Sequence, residues 1–264
     1  MKKLLSIVLI STVLFTSCKK SNTTNPNAKS DIAVHFDNIA GSAELALNTT
    51  NYTNAVGETF KVTKFDYYIS NIRLKKTDGS EYVVPQNESY FLVKESDATM
   101  QDLDLSGVPV GDYNAITFTL GVDSLKNCAP LSERTGVLDP AAGGLGMYWV
   151  WNSGYIFLKM EGTSPAIAGM SNAFQYHIGG FGGMTAPTIN NIKTITLSFP
   201  AGNVAFVREG KVPEVHILAD ALKVLNGSTN ISLAASPMVM FNPASVSIAN
   251  NYQNMFTVDH VHND

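Results

Sequence analysis

Five histidines, His35, His177, His216, His260 and His262, are the side chains of this sequence best suited to chemistry. Imidazole is the commonest protein ligand for metals and binds through either ring nitrogen. His260 and His262 end the alternating stretch Met255–His262, which reads as a last strand. Residues i and i+2 of a strand share a face with Cα atoms ~6.5–7 Å apart. Two imidazoles so placed can converge on one ion at ~2.0 Å from each nitrogen. The plainer reading is a pair of solvated residues at a ragged end, because two ligands do not complete a site. The remaining donors must come from other strands. His35 shares a face with Asp37, His177 with Gln175, and His216 with Leu218 and Asp220. A carboxylate or amide so placed can fix the tautomer of a ligating histidine. Singly, each of the three reads as a surface or satisfied interior residue, and together they could meet at one end of a folded sheet.

Met147-Tyr148-Trp149-Val150-Trp151-Asn152-Ser153-Gly154-Tyr155 holds both tryptophans of the chain, at i and i+2. Such a pair reads as a core strand, since large rings bury much apolar area, or as a stacking platform for sugar rings. Catalytic signatures are missing: there is no Gly-x-Ser-x-Gly elbow, no His-Glu-x-x-His pair and no phosphate loop. Gly179-Gly180-Phe181-Gly182-Gly183 has no Lys-Ser or Lys-Thr after it and reads as a flexible turn. Carboxylates are scattered. The expectation is a protein that is not an enzyme.

The elements that must position these residues are strands. Asp31–Asp37, Lys61–Lys75, Tyr113–Val122, Tyr148–Glu161, Asn191–Phe199 and Glu214–Leu225 alternate with period two and are rich in Val, Ile, Thr, Tyr and Phe. Gly, Asn and Asp turns separate them, and no helical period is sustained. Asp123–Gly146 is a long connection, of a length that is commonly functional. Many short strands with frequent turns predict an all-β fold, a single antiparallel β-sandwich domain over residues 31–264. Hydrophobic residues make up 45% of the chain and charged ones 15%, enough for a large core. The net charge of −4 carries no basic stripe, which excludes nucleic acid as the expected partner.

Residues 1–17 have the layout of a signal peptide. Lys2 and Lys3 precede an apolar run from Leu4 to Phe15, too short to span a bilayer, and Thr16-Ser17 precede Cys18. Small residues before a cysteine resemble the bacterial lipobox, so Cys18 is the expected lipidation site and the lipid membrane the expected partner. Stable anchoring needs more than one chain. Residues 18–30 form the lipidated cysteine and a polar tether that reaches at most ~40 Å. The Cys-Lys-Lys start looks like lipoproteins of the Bacteroidetes type, which implies the cell envelope and its outer membrane. Cys128 is then the only remaining cysteine, so no internal disulfide forms; it is a candidate thiolate or a small buried hydrophobe.

Five blocks stand out: Phe65-Asp66-Tyr67-Tyr68-Ile69-Ser70-Asn71-Ile72, Gly121-Val122-Asp123-Ser124-Leu125-Lys126-Asn127, Met147 through Gly162, Phe174-Gln175-Tyr176-His177-Ile178-Gly179-Gly180, and Phe256-Thr257-Val258-Asp259-His260-Val261-His262. In this order they resemble the MbnP-like family of copper-associated proteins. The last is similar to the tail of a Bacteroidetes branch. The resemblance implies a β-sandwich that binds copper through histidine and works with a di-haem peroxidase-like partner. In such relatives a tryptophan at the metal site is oxidised to kynurenine; Trp149 and Trp151 match the tryptophan positions and His177 the block histidine. Cys128 stands where many relatives carry histidine. Copper suits the residues independently, since imidazole favours it and divalent copper heads the affinity order. The expected site is a His260–His262 chelate completed by His177, His35 or His216, beside Trp149 or Trp151. A glycan-binding or adhesion module is the alternative.

Overall fold

A computed structural model describes residues 27–149, 153–169 and 171–263. Residues 1–17, the expected signal peptide, Cys18 and Trp151 lie outside them. Nine principal strands organise the described residues: β1 Lys29–Ala40, β2 Thr59–Lys76, β3 Asp102–Pro109, β4 Gly111–Leu120, β5 Ile156–Thr163, β6 Ala173–Gly179, β7 Lys193–Ser198, β8 Glu214–Asp220 and β9 Phe256–His262. The smaller sheet has five strands, ordered β9-β8-β1 and then the short Ala43–Glu44, with β3 also paired to β1. The larger has ten, built on the path β7-β4-β2-β5-β6 and extended by short strands.

The two sheets form a β-sandwich that closes on one core. β1 shows why: Ile32, Val34 and Phe36 are fully buried while their neighbours reach solvent, as period-two patterning requires. Val215 and Ile217 of β8, and Tyr67, Ile69, Leu158, Tyr176 and Ile178 from the large sheet, fill the same interior. The expected all-antiparallel pairing is relaxed in two places, since β1 and β8 run parallel, as do β6 and Met238–Val239.

β2 is covered on both faces. Phe65 through Ser70 are all buried, and Tyr68 faces a second, smaller cluster with Val122, Leu138, Met147, Tyr155 and Phe157. That cluster lies on the outer side of the large sheet. The long connection after Asp123 covers it, folded into α1 (Ser124–Asn127) and short turns.

Four expectations need correction. The tryptophan block is not the start of a strand: β5 begins at Ile156, and the described residues before it form turns closed by a Tyr148–Tyr155 bridge. Glu214–Leu225 is β8 followed by the short helix α2, Leu222–Leu225. A longer helix, α3, spans Ala244–Tyr252. Its buried Ser245, Ile248, Ala249 and Tyr252 stand at i, i+3, i+4 and i+7, a helical stripe faint in sequence because two of the four are small. β1 also begins two residues inside the polar tether, with Lys29 opposite Pro109 and Ser30 opposite Val108. Among the described residues no helix is long and apolar enough to cross a membrane.

Candidate metal centre

Strand register places four of the five histidines together. His35 of β1 stands opposite His216 of β8, and His216 opposite His260 of β9. On the far side of β1, His35 stands opposite Asp102 of β3. The result is a row, Asp102–His35–His216–His260, running across four strands set ~4.8 Å apart. Val34, Phe36, Val215 and Ile217 point into the core, so the intervening imidazoles must point outward.

β9 reaches this arrangement through a bulge. Ile217 pairs with Val258 while His216 pairs with His260, so Asp259 is an extra residue. Strict alternation from Phe256 would put residues 256, 258, 260 and 262 on one face, the core face. The bulge shifts the phase after Val258. Val261 then packs on the core, and His260 and His262 turn outward.

The rings are close. Centroids of His216 and His260 lie 4.4 Å apart and nearly parallel, at 11°. His260 to His262 is 4.6 Å, His216 to His262 is 5.3 Å, and His35 to His216 is 5.1 Å. The Nε2 atoms of His260 and His262 are 2.9 Å apart. Two metal–nitrogen bonds of ~2.0–2.1 Å place their nitrogens about 2.9 Å apart at a right angle and about 3.4 Å apart at the tetrahedral angle. The observed spacing fits the right-angled pair of a tetragonal copper or nickel centre. Without an ion it is a hydrogen bond between the two imidazoles, one donating and one accepting. His216, stacked on His260, must swing its ring to aim a nitrogen at the same point.

Carboxylates surround the rings. Asp102 Oδ1 is 2.5 Å and Asp37 Oδ1 3.1 Å from the two nitrogens of His35. Asp37 Oδ2 is 3.1 Å from His216 Nδ1, Glu214 Oε2 is 3.5 Å from His216 Nε2, and Asp259 Oδ2 is 2.7 Å from His260 Nδ1. Burial lowers the pKa of His35, but the hydrogen bond it donates to Asp102 and the charges of Asp37, Asp102 and Glu214 outweigh it, so the net shift is upward. Among the described residues three groups have ligand atoms all within 4.8 Å of one another: His216, His260 and His262; His35, Asp37 and His216; and His35, Asp102 and Glu214. Asp102 and Glu214 escaped the sequence reading. Glu214 stands two residues before His216 on the same strand face, a readable signal, whereas Asp102 is brought in only by strand pairing.

His177 and Trp149 belong elsewhere. His177 alternates with the buried Tyr176 and Ile178 of β6, so it occupies the outer face of the large sheet, across the core from the other four. There it meets Glu161 Oε1 at 2.7 Å; burial and Lys159 hold its pKa below the usual histidine value against the pull of Glu161. Trp149, half-buried, packs close over Gly179 and edge-on to Phe241 at 6.4 Å. Neither His177 nor Cys128, which is exposed just after α1, enters any of the three ligand groups. The expected site therefore separates into two faces.

The second face gathers the remaining blocks noted in the sequence. Ser70 Oγ donates to Gly121 O at 2.7 Å, and Asn71, held at φ 52°, donates to Asp123 Oδ2 at 2.8 Å. Asn127 donates to Val122 O and accepts from Tyr155 N at 3.0 Å, and the rings of Tyr68 and Tyr155 meet edge-on at 5.6 Å. The sequence matches the MbnP family over residues 29–241. The chain belongs to the MbnP family. A search of solved structures returns MbnP from Methylosinus trichosporium, 16% identical, with a TM-score of 0.57 over 89% of this chain and 99% of that one. That likeness is one of fold. No curated protein matches the sequence. The family match stops before β9, so two of the four clustered histidines stand outside it.

Proposed function

We propose that this MbnP-family protein is an envelope lipoprotein that captures a metal ion, copper before others, on the outer face of its smaller sheet, and hands it on without chemistry of its own. One observation carries the reading: register across β3, β1, β8 and β9 aligns Asp102, His35, His216 and His260, with His262 one step along. Three imidazoles from two strands, with carboxylates beside His216 and His260 that can fix their tautomers, match what divalent copper binds best. The partly open position, with His260 40% exposed, suits an ion that must enter and leave. Acylation of Cys18 would hold this face close to a membrane, the outer membrane in the reading proposed. A di-haem peroxidase-like protein is the proposed partner, acting on the face that holds Trp149; a kynurenine-type mass change in protein from the native host would support it. The packing of Trp149 against Gly179 and Phe241 argues against a flat sugar platform.

Copper titration tests the reading. The full mature chain should bind copper, and a His260→Ala, His262→Ala double variant should lose affinity by more than about 100-fold, beyond the 10–100-fold typical of a lost supporting residue. Unchanged affinity would remove the pair from the site. Cys18→Ser should move the exported protein from the membrane to the soluble fraction.

A further inference from the structure

The outer face of the smaller sheet holds more donors than one ion can use. Of its three ligand groups, two share no residue: His216, His260 and His262 on one side, and His35, Asp102 and Glu214 on the other. Asp37 lies between them, one carboxylate oxygen 3.1 Å from His35 and the other 3.1 Å from His216. Charge points the same way. Among the described residues the ion-pair partners of Asp37, Asp102, Glu214 and Asp259 are all histidines, with no lysine or arginine among them. Four carboxylates paired only with rings that can be neutral leave a surplus of negative charge on one sheet face, which a cation would balance.

We infer that this face binds two divalent metal ions side by side, the second held by His35, Asp102 and Glu214. The two positions differ in chemistry. Three imidazoles suit copper, whereas one imidazole and two carboxylates form a harder set that accepts zinc or manganese as well. The groups abut, Glu214 Oε2 of one lying 3.5 Å from His216 Nε2 of the other, with Asp37 able to orient a ligand of each. This inference extends the proposed copper reading and rests on it for the first ion only.

The test counts metal per chain. The full mature chain is loaded with Cu(II), dialysed and analysed for copper, with circular dichroism confirming that each variant is folded. The expected result is two copper ions per wild-type chain, with dipolar broadening of the EPR signal as the second equivalent enters. Asp102→Asn with Glu214→Gln, nearly isosteric changes on the sheet exterior, should leave one ion and a sharp signal. His260→Ala with His262→Ala should also leave one, with a different EPR spectrum. A wild-type chain that takes one ion, unaffected by Asp102→Asn and Glu214→Gln, overturns the second position and leaves the three-histidine reading standing. A chain that takes none overturns both.

Discussion

The bulge at Asp259 makes a counterintuitive prediction. Removing Asp259 leaves Val258 opposite Ile217 and His260 opposite His216, the partners they already have. Phe256, Val258 and Val261 stay on the core face and His260 and His262 stay outside, so the deletion should be structurally quiet. Its cost is the carboxylate 2.7 Å from His260 Nδ1, and the deletion should match Asp259→Ala in copper affinity, with both ~10–100-fold or less below wild type. Inserting one serine after Val258 does the opposite: strict alternation then keeps Phe256, Val258 and Val261 on the core face without a bulge, but the two halves of β9 can no longer both hold their register against β8. Phe256 is 4% exposed and meets Phe36, Tyr67 and Phe118 at 5.1–5.9 Å between ring centroids. Losing it would cost about 3–5 kcal/mol. Val261 is only partly buried, and giving it up costs about 1 kcal/mol. The tail yields, sliding two residues along β8 so that His260 comes opposite Glu214 instead of His216. The insertion should thus lower the denaturation midpoint modestly and reduce copper affinity by more than about 100-fold. Isothermal titration with copper, and histidine acylation read by mass spectrometry as a metal-free check, measure both variants. If deletion of Asp259 abolishes binding while Asp259→Ala does not, the phase assignment of β9 is wrong.

Other substitutions test other parts of the fold. Gly179→Ala would place a Cβ 2.4 Å from Tyr155 O and 2.7 Å from the Trp149 ring; it should destabilise by about 1–3 kcal/mol and change tryptophan emission while copper stoichiometry holds. Phe36→Ala removes the ring at the centre of three edge-on aromatic pairs and should cost about 3–5 kcal/mol in chemical denaturation. His177 has a folded pKa below its ordinary 6.5, first through burial and then through Lys159. Its contribution to stability is therefore complete above the unfolded value and is lost as pH falls through the lowered folded one. His177→Asn should flatten that loss, so denaturant midpoints of wild type and variant should converge or cross between pH ~7.5 and ~5.5; parallel curves would show that His177 does not titrate with unfolding.

The division of the sandwich into two working faces reframes the family resemblance. Tyr68, Asn71, Asp123, Asn127, Tyr155 and Gly179 belong to the recognised blocks, and their contacts bind the long connection to the large sheet. They shape the surroundings of Trp149. The histidine cluster draws two of its four rings from β9, beyond the matched region. The histidine cluster therefore leaves the contacts of the other face undisturbed.

Alternation along β1 and β8 is a property of the chain itself. From it the sandwich, the inward Val34, Phe36, Val215 and Ile217, and the outward His35 and His216 could all be derived, because a strand allows only two side-chain directions. The adjacency of His260 and His262 is equally local. What the chain alone left open was which strands are neighbours, and in what register. His177 and His216 each alternate with buried apolar residues in the same way, yet they lie on opposite faces of the molecule, since β6 joins one sheet and β8 the other. Asp102 reaches His35 across 67 positions only because β3 pairs with β1. The phase of β9 depends on one bulged residue, and the energy that selects it comes from Phe256 in the core, not from the histidines that it turns toward solvent.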